Sequence, residues 1–177
     1  MRKVKGAVIV NVTRQGKTEA LSGVQPELGQ DSPHFKLFDA DNSRVKTRML
    51  KGQVTFINVV PDLMTPTGTA QATKIAGLAD QYPNVRFITV SVNDVNEQKG
   101  WKASHPQADG AEVLSDYEQS FGYALNLLIP DEGVLARSIV ILDADAKVQY
   151  LQIVPEQTKE PDYLAAVNAL QSVVAKS

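Results

Sequence analysis

The stretch VTFINVVPDLMTPTGTA, residues 54–70, joins an apolar strand to a helical pattern through Pro61. A strand that ends in proline, followed by a Thr-Pro pair and a helix, presents a side chain at a helix N-terminus. Thr65 suits the N-cap, and Pro66 suits the first helical position, where its missing N–H leaves no bond unmade. The position expected to carry the presented group is Gly68, which has no side chain.

Working outward, VTFINVV (54–60) and VRFITVSV (85–92) are β-rich and nearly continuous in apolar residues, as strands covered on both faces are. Between them Ile75, Leu78, Ala79 and Tyr82 recur at helical spacing, so one parallel strand–helix–strand unit is expected. AVIVNV (7–12) and TEAL flank Gln15-Gly16 as a β-hairpin, and Phe35, Leu37 and Val45 alternate around the polar turn 39–43 as a second. A helix near 97–103 and a short EVL strand follow. RSIVILDADAKVQYLQIV reads as an antiparallel pair joined at DADAK. A last helix begins near Glu160-Pro161-Asp162, with acids in its first turn and Tyr163, Ala166, Val167 and Leu170 on one face. The order after an N-terminal hairpin describes an α/β, thioredoxin-like fold: a central mixed sheet flanked by helices, in a single domain over 1–177.

Composition limits function. With 177 residues and 43% apolar content, the chain can bury roughly 70% of its unfolded surface without a staple. Eighteen basic against twenty acidic residues give a net charge of −2, which argues against nucleic acid and anionic membranes as partners. No apolar run approaches the ~20 residues needed to span a bilayer, and the basic start lacks a convincing cleavage site, so a cytoplasmic protein is expected. The cysteine count is zero, which removes disulfides, thiolate metal sites and cysteine nucleophiles together.

Six blocks in register carry a resemblance: GQDSPHF (29–35), NVVPDLMTPTG (58–68), VSVNDVNEQKGWK (90–102), LSDYEQSFG (114–122), LLIPDEGVLARSIVILD (127–143) and VPEQTKEPDYLAAVNAL (154–170). The chain resembles the thiol peroxidase branch of the peroxiredoxins, atypical two-cysteine enzymes that reduce hydroperoxides with thioredoxin as electron donor. The family motif P-x-x-x-T-x-x-C maps its proline and threonine onto Pro61 and Thr65, and its peroxidatic cysteine onto Gly68. The resolving cysteine maps onto Lys102, after QKGW. Arg137, in LARSIV, matches the family arginine that hydrogen-bonds thiolate and peroxide; without the resemblance it reads as a charge at the solvent end of a strand. The stretch DYEQSFG is about one residue short of the family pattern.

Peroxide reduction needs a soft thiolate, and turnover needs a second thiol. Gly68 and Lys102 supply neither, so the expectation is a pseudoenzyme with no cofactor and no metal, homodimeric by family resemblance, and without use of thioredoxin. Free N–H groups at the helix start, the Thr65 hydroxyl and Arg137 are expected to form a small anion pocket, enlarged by the bare Gly68. A protein partner is the other expectation. The competing reading is an active peroxidase whose cysteines were engineered away or whose chemistry is rewired; engineered replacements favour Ser or Ala over Gly and Lys.

Thr65 is too hard and too weakly acidic a nucleophile to replace a thiol. Met64 is expected to fill core space. His34 and His105 lie in unrelated segments without metal-ligand spacing and read as surface or capping residues. The acids of DADAK read as turn formers, Trp101 as a core residue, and Ala146 as a mildly strained turn residue where glycine is common.

Overall fold

The computed structural model describes residues 2–4 and 7–177, with side chains from Ile9 onward. Strands β1 (Arg2–Val4) and β2 (Ala7–Ile9) pair antiparallel, as do β3 (Asn11–Arg14) and β4 (Lys17–Ala20). The β3–β4 turn falls at Gln15-Gly16 as expected, both at positive φ (51° and 85°), which matches the right-handed strand twist.

The main sheet draws on β5 (Lys36–Phe38), β6 (Arg44–Lys46), β7 (Val54–Val59), β8 (Val85–Ser91) and β9 (Glu112–Ser115). Beyond them, β10 (Leu128–Ile129) and β11 (Val134–Leu135) form a small separate pair, while β12 (Ser138–Leu142) and β13 (Val148–Ile153) complete the sheet. Its order is β13-β12-β7-β8-β9-β5-β6, with β7–β8 and β8–β9 parallel and the other neighbours antiparallel. Helices α1 (Pro66–Ala76), α2 (Val95–Ser104), α3 (Ser120–Leu125) and α4 (Tyr163–Ala175) connect and cover it.

Two apolar layers sandwich the sheet. Phe56, Phe87, Ile139 and Ile141 face Ile75 of α1 and Ala166 and Leu170 of α4. Ile57, Val59, Ile88, Val90 and Val140 face Phe121 and Leu125 of α3. Alternation along strands buried on both faces divides the side chains in this way.

Local differences from the sequence reading have physical causes. The first helix stops at Ala76, and Ala79–Gln81 form a separate 3-10 turn. Gly77 keeps right-handed helical dihedrals (φ −65°, ψ −16°), so Leu78, Ala79 and Tyr82 still reach the same core layer, which is why their spacing read as one helix. No acid lies in the first turn of α4; Asp162 is instead its N-cap, accepting from the N–H of Ala165 at 3.0 Å. Met64 is 49% exposed rather than core, because it sits at the outer tip of the loop before α1. Trp101 is buried, and Ala146 has φ 60°, as anticipated for that turn. Among the described residues, no helix is long and apolar enough to cross a membrane.

Candidate active site

Residues 61–68 form one closed turn. Asp62 Oδ1 accepts from the N–H of Met64 at 2.9 Å and from Asn93 Nδ2 at 3.0 Å, while Asn93 Oδ1 accepts from the N–H of Leu63 at 2.9 Å. Asn93, at the end of β8, therefore pins the loop from two directions. Thr65 caps α1: its Oγ1 accepts from the N–H of Gly68 at 3.1 Å and donates to the carbonyl of Asp62 at 2.9 Å.

That carbonyl occupies the space a side chain would need. A Cβ added to Gly68 would overlap the Asp62 carbonyl oxygen and come within 3.0 Å of Thr65 Oγ1. The obstacle is backbone, so rotation of a side chain does not relieve it. Gly68 is buried beneath its own loop.

The helix start also has few free donors. Pro66 has no N–H, Gly68 gives its own to Thr65 Oγ1, and Thr69 gives its own to the Thr65 carbonyl at 2.9 Å. Of the first four amides only Thr67 is without a partner among the described residues, and the Asp62 carboxylate stands beside the turn.

Arg137 precedes β12 and is 3% exposed. Its Nη1 donates to Gln71 Oε1 at 2.7 Å, one helical turn beyond Gly68, and its Nε donates to the carbonyl of Gln157 at 2.9 Å. Gln157 Oε1 accepts from the Arg137 N–H at 2.6 Å. The network continues inward: Gln71 Nε2 donates to Asn58 Oδ1 at 2.6 Å, and Asn58 Nδ2 donates to Thr89 Oγ1 at 3.1 Å. Burial lowers the Arg137 pKa from its ordinary value. Gln157 is positioned by β3, where the carbonyl of Thr13 accepts its N–H at 2.8 Å.

Lys102 lies on α2 with its Nζ donating to the carbonyl of Ala111 at 2.6 Å. Its neighbour Trp101 ties α2 to α1, Nε1–H donating to Thr69 Oγ1 at 3.0 Å. His105 caps α2, its Nδ1 lying 2.7 Å from the carbonyl of Trp101, and stacks on the indole. The structure thus gathers Pro61, Thr65 and Gly68 in one turn, engages Arg137 with the same helix farther along, and directs the Lys102 ammonium to the loop before β9. Sequence reading missed Gln71 and Gln157. A polar residue on the buried stripe Gly68, Gln71, Ala72, Ile75 was the signal for the first.

The Redoxin family profile matches residues 27–167. The thiol peroxidase of Halalkalibacterium halodurans is 32% identical over 167 residues, 94% of this chain and 100% of its own. That of Staphylococcus saprophyticus is 34% identical over 166 residues, 93% and 100% respectively. A peroxiredoxin-like protein from Aquifex aeolicus superposes with a TM-score of 0.84 at 27% identity, over 92% of this chain and 96% of that one. A thiol peroxidase from Chromobacterium violaceum shares the fold at 18% identity, TM-score 0.82. A thioredoxin-like sheet, a Pro61–Thr65 turn opening α1 and relatives matched over their full length place the chain in the Redoxin family, as a thiol peroxidase homologue lacking both family cysteines.

Proposed function

We propose that the protein is a pseudoenzyme of the thiol peroxidase branch, which keeps the scaffold as a homodimer and acts by binding a protein partner. The observation that carries this reading is the closed turn: the chain has no cysteine, and the carbonyl of Asp62 fills the space of the side chain missing at Gly68. Peroxide cleavage requires a nucleophile there to attack one oxygen while the other departs. The hydroxyl of Thr65 is bonded on both sides, and the Arg137 guanidinium serves Gln71 and Gln157.

The same geometry weighs against a small anion as the ligand of this turn. A helix start binds anions through free amides, and here one is left beside a carboxylate. A protein partner is therefore the preferred binding role.

The test is a thioredoxin-coupled hydrogen peroxide assay on metal-free protein. The expected rate equals the blank without protein. Turnover above that blank refutes the reading in favour of rewired chemistry. Sedimentation velocity of the same sample is expected to show a dimer.

A further inference from the structure

A cavity of about 640 Å³, the size of a site for a small organic molecule, lies between α2, β9 and the β5–β6 turn, apart from the Gly68 turn. Val95, Ala103, Val113 and Leu114 give it apolar walls. Of its charged residues, Glu112 is held by Arg86, which stands outside the lining, through bonds of 2.6 and 2.9 Å. Lys99 and Lys102 are then balanced by Asp39 and Asp109, and among the described residues no ion pair joins the two sets. A lining without net charge favours a ligand without net charge.

Two polar groups in the wall are fixed in place and keep bonding capacity. Gln98 is 4% exposed and spends both amide hydrogens, on Ser91 Oγ and on the carbonyl of Leu114, each at 3.0 Å. No described group donates to its carbonyl oxygen, and that oxygen is not among the sealed, unpaired atoms, so it remains an open acceptor. The Lys102 ammonium gives one hydrogen to the carbonyl of Ala111 at 2.6 Å and keeps two. Residues four apart on a helix set their Cβ atoms about 5–6 Å apart. The two carbonyls that hold the side-chain ends are three residues apart, ~11 Å at full extension. An ammonium and a carboxylate carried on one carbon, with a hydrogen bond of about 2.8 Å at each end, bridge a gap between those limits. A cation beside an open acceptor thus matches a ligand that carries both charges close together, and charge-assisted bonds at both ends favour it over an uncharged polar molecule.

We infer that this cavity binds a zwitterionic α-amino acid with an aliphatic side chain. The carboxylate pairs with Lys102, the α-ammonium donates to Gln98 Oε1, and the side chain lies along Val95, Ala103 and Val113. The inference stands independently of whether the protein turns over peroxide.

The test is a nitrogen–proton NMR titration of the full chain with leucine, with isocaproate, which lacks the ammonium, and with isoamylamine, which lacks the carboxylate. Saturable shifts at Gln98, Lys102 and Val113 are expected with leucine, and each truncated analogue is expected to bind about tenfold more weakly, a loss of about 1.4 kcal/mol. Lys102→Met is expected to weaken leucine by about the same factor and to leave isoamylamine unchanged. Absence of saturable shifts with leucine, shifts centred on the Gly68 turn, either analogue binding as tightly as leucine, or leucine binding unchanged in the variant overturns the inference. The three-ligand comparison needs only the unaltered protein, so it decides even where the variant folds poorly.

Discussion

Arg137 donates from Nη1 to Gln71 Oε1 at 2.7 Å, and that bond ties the guanidinium at the site to the buried face of α1. Both residues are buried, and Gln71 is 0% exposed. A hydrogen bond to a buried charge contributes more than a neutral one, and loss of one partner leaves the charge unmet. Gln71→Leu is therefore expected to lower stability by about 2–4 kcal/mol in urea unfolding. Adding Arg137→Met is expected to return part of that loss, because the orphaned charge leaves with it. A loss under about 1 kcal/mol for Gln71→Leu alone would mean that the Gln157 carbonyl and solvent meet the Arg137 charge without Gln71.

The Gly68 turn predicts the outcome of restoring the cysteines. Gly68→Cys sets a Cβ against the Asp62 carbonyl, in a loop fixed by Asn93, so the loop has to move. The expected cost is about 1–3 kcal/mol, the range for overpacking. A Gly68→Cys/Lys102→Cys protein is expected to show no thioredoxin-coupled turnover. Asn93→Ala is expected to cost less in the Gly68→Cys background than alone, since the freed loop accommodates the new side chain. Strict additivity by double-mutant cycle would show that the loop does not carry the strain.

The contrast between these residues shows what the sequence made legible. Strands such as Val54–Val59 and Val85–Ser91 announce themselves by continuous apolar runs, and Thr65-Pro66 announces a helix start by local chemistry. Helix α3 was missed because it is six residues long, with Gln119 and Asn126 at left-handed φ (62° and 55°) on either side, too short for periodicity. The β10–β11 hairpin is two residues a side and equally silent. At the site, the sequence shows that Gly68 lacks a side chain but not what fills the gap. That depends on where Asn93, thirty residues from Leu63 in the chain, anchors the loop. Composition read the missing chemistry; only three-dimensional contacts read the missing space.

Met64 offers a chemical readout of the loop. It is 49% exposed beside the closed turn, and its thioether lies open to peroxide. Hydrogen peroxide is expected to convert Met64 to the sulfoxide without unfolding the protein, because no core contact depends on it. Peptide mass spectrometry against time, with circular dichroism on the same samples, checks both parts. Protection of Met64 comparable to a buried methionine would show that the loop tip is covered in solution.

Asp116 predicts an unusual pH dependence. Its carboxylate accepts from the N–H groups of Phe121 at 2.8 Å and Gly122 at 2.9 Å, at the start of α3. Burial raises its pKa to about 6 from the ordinary value of 3.8, against the opposing pull of those two amides. A raised carboxyl pKa means that the folded protein holds the proton more tightly than the unfolded chain. The resulting stability is fully present below the ordinary value of 3.8, where both states hold the proton, and is lost as pH rises through about 6, over the interval where Asp116 is protonated in the fold and ionised in the unfolded chain. Between about pH 4 and pH 7 the loss from this group is on the order of 3 kcal/mol at 1.36 kcal/mol per unit. Burial raises the Glu19 pKa in the same direction, so both groups tilt the profile. Unfolding free energy measured across that window is expected to fall with rising pH, and Asp116→Asn is expected to flatten the slope by removing one titrating group. An unchanged slope in that variant would assign the dependence to Glu19 instead.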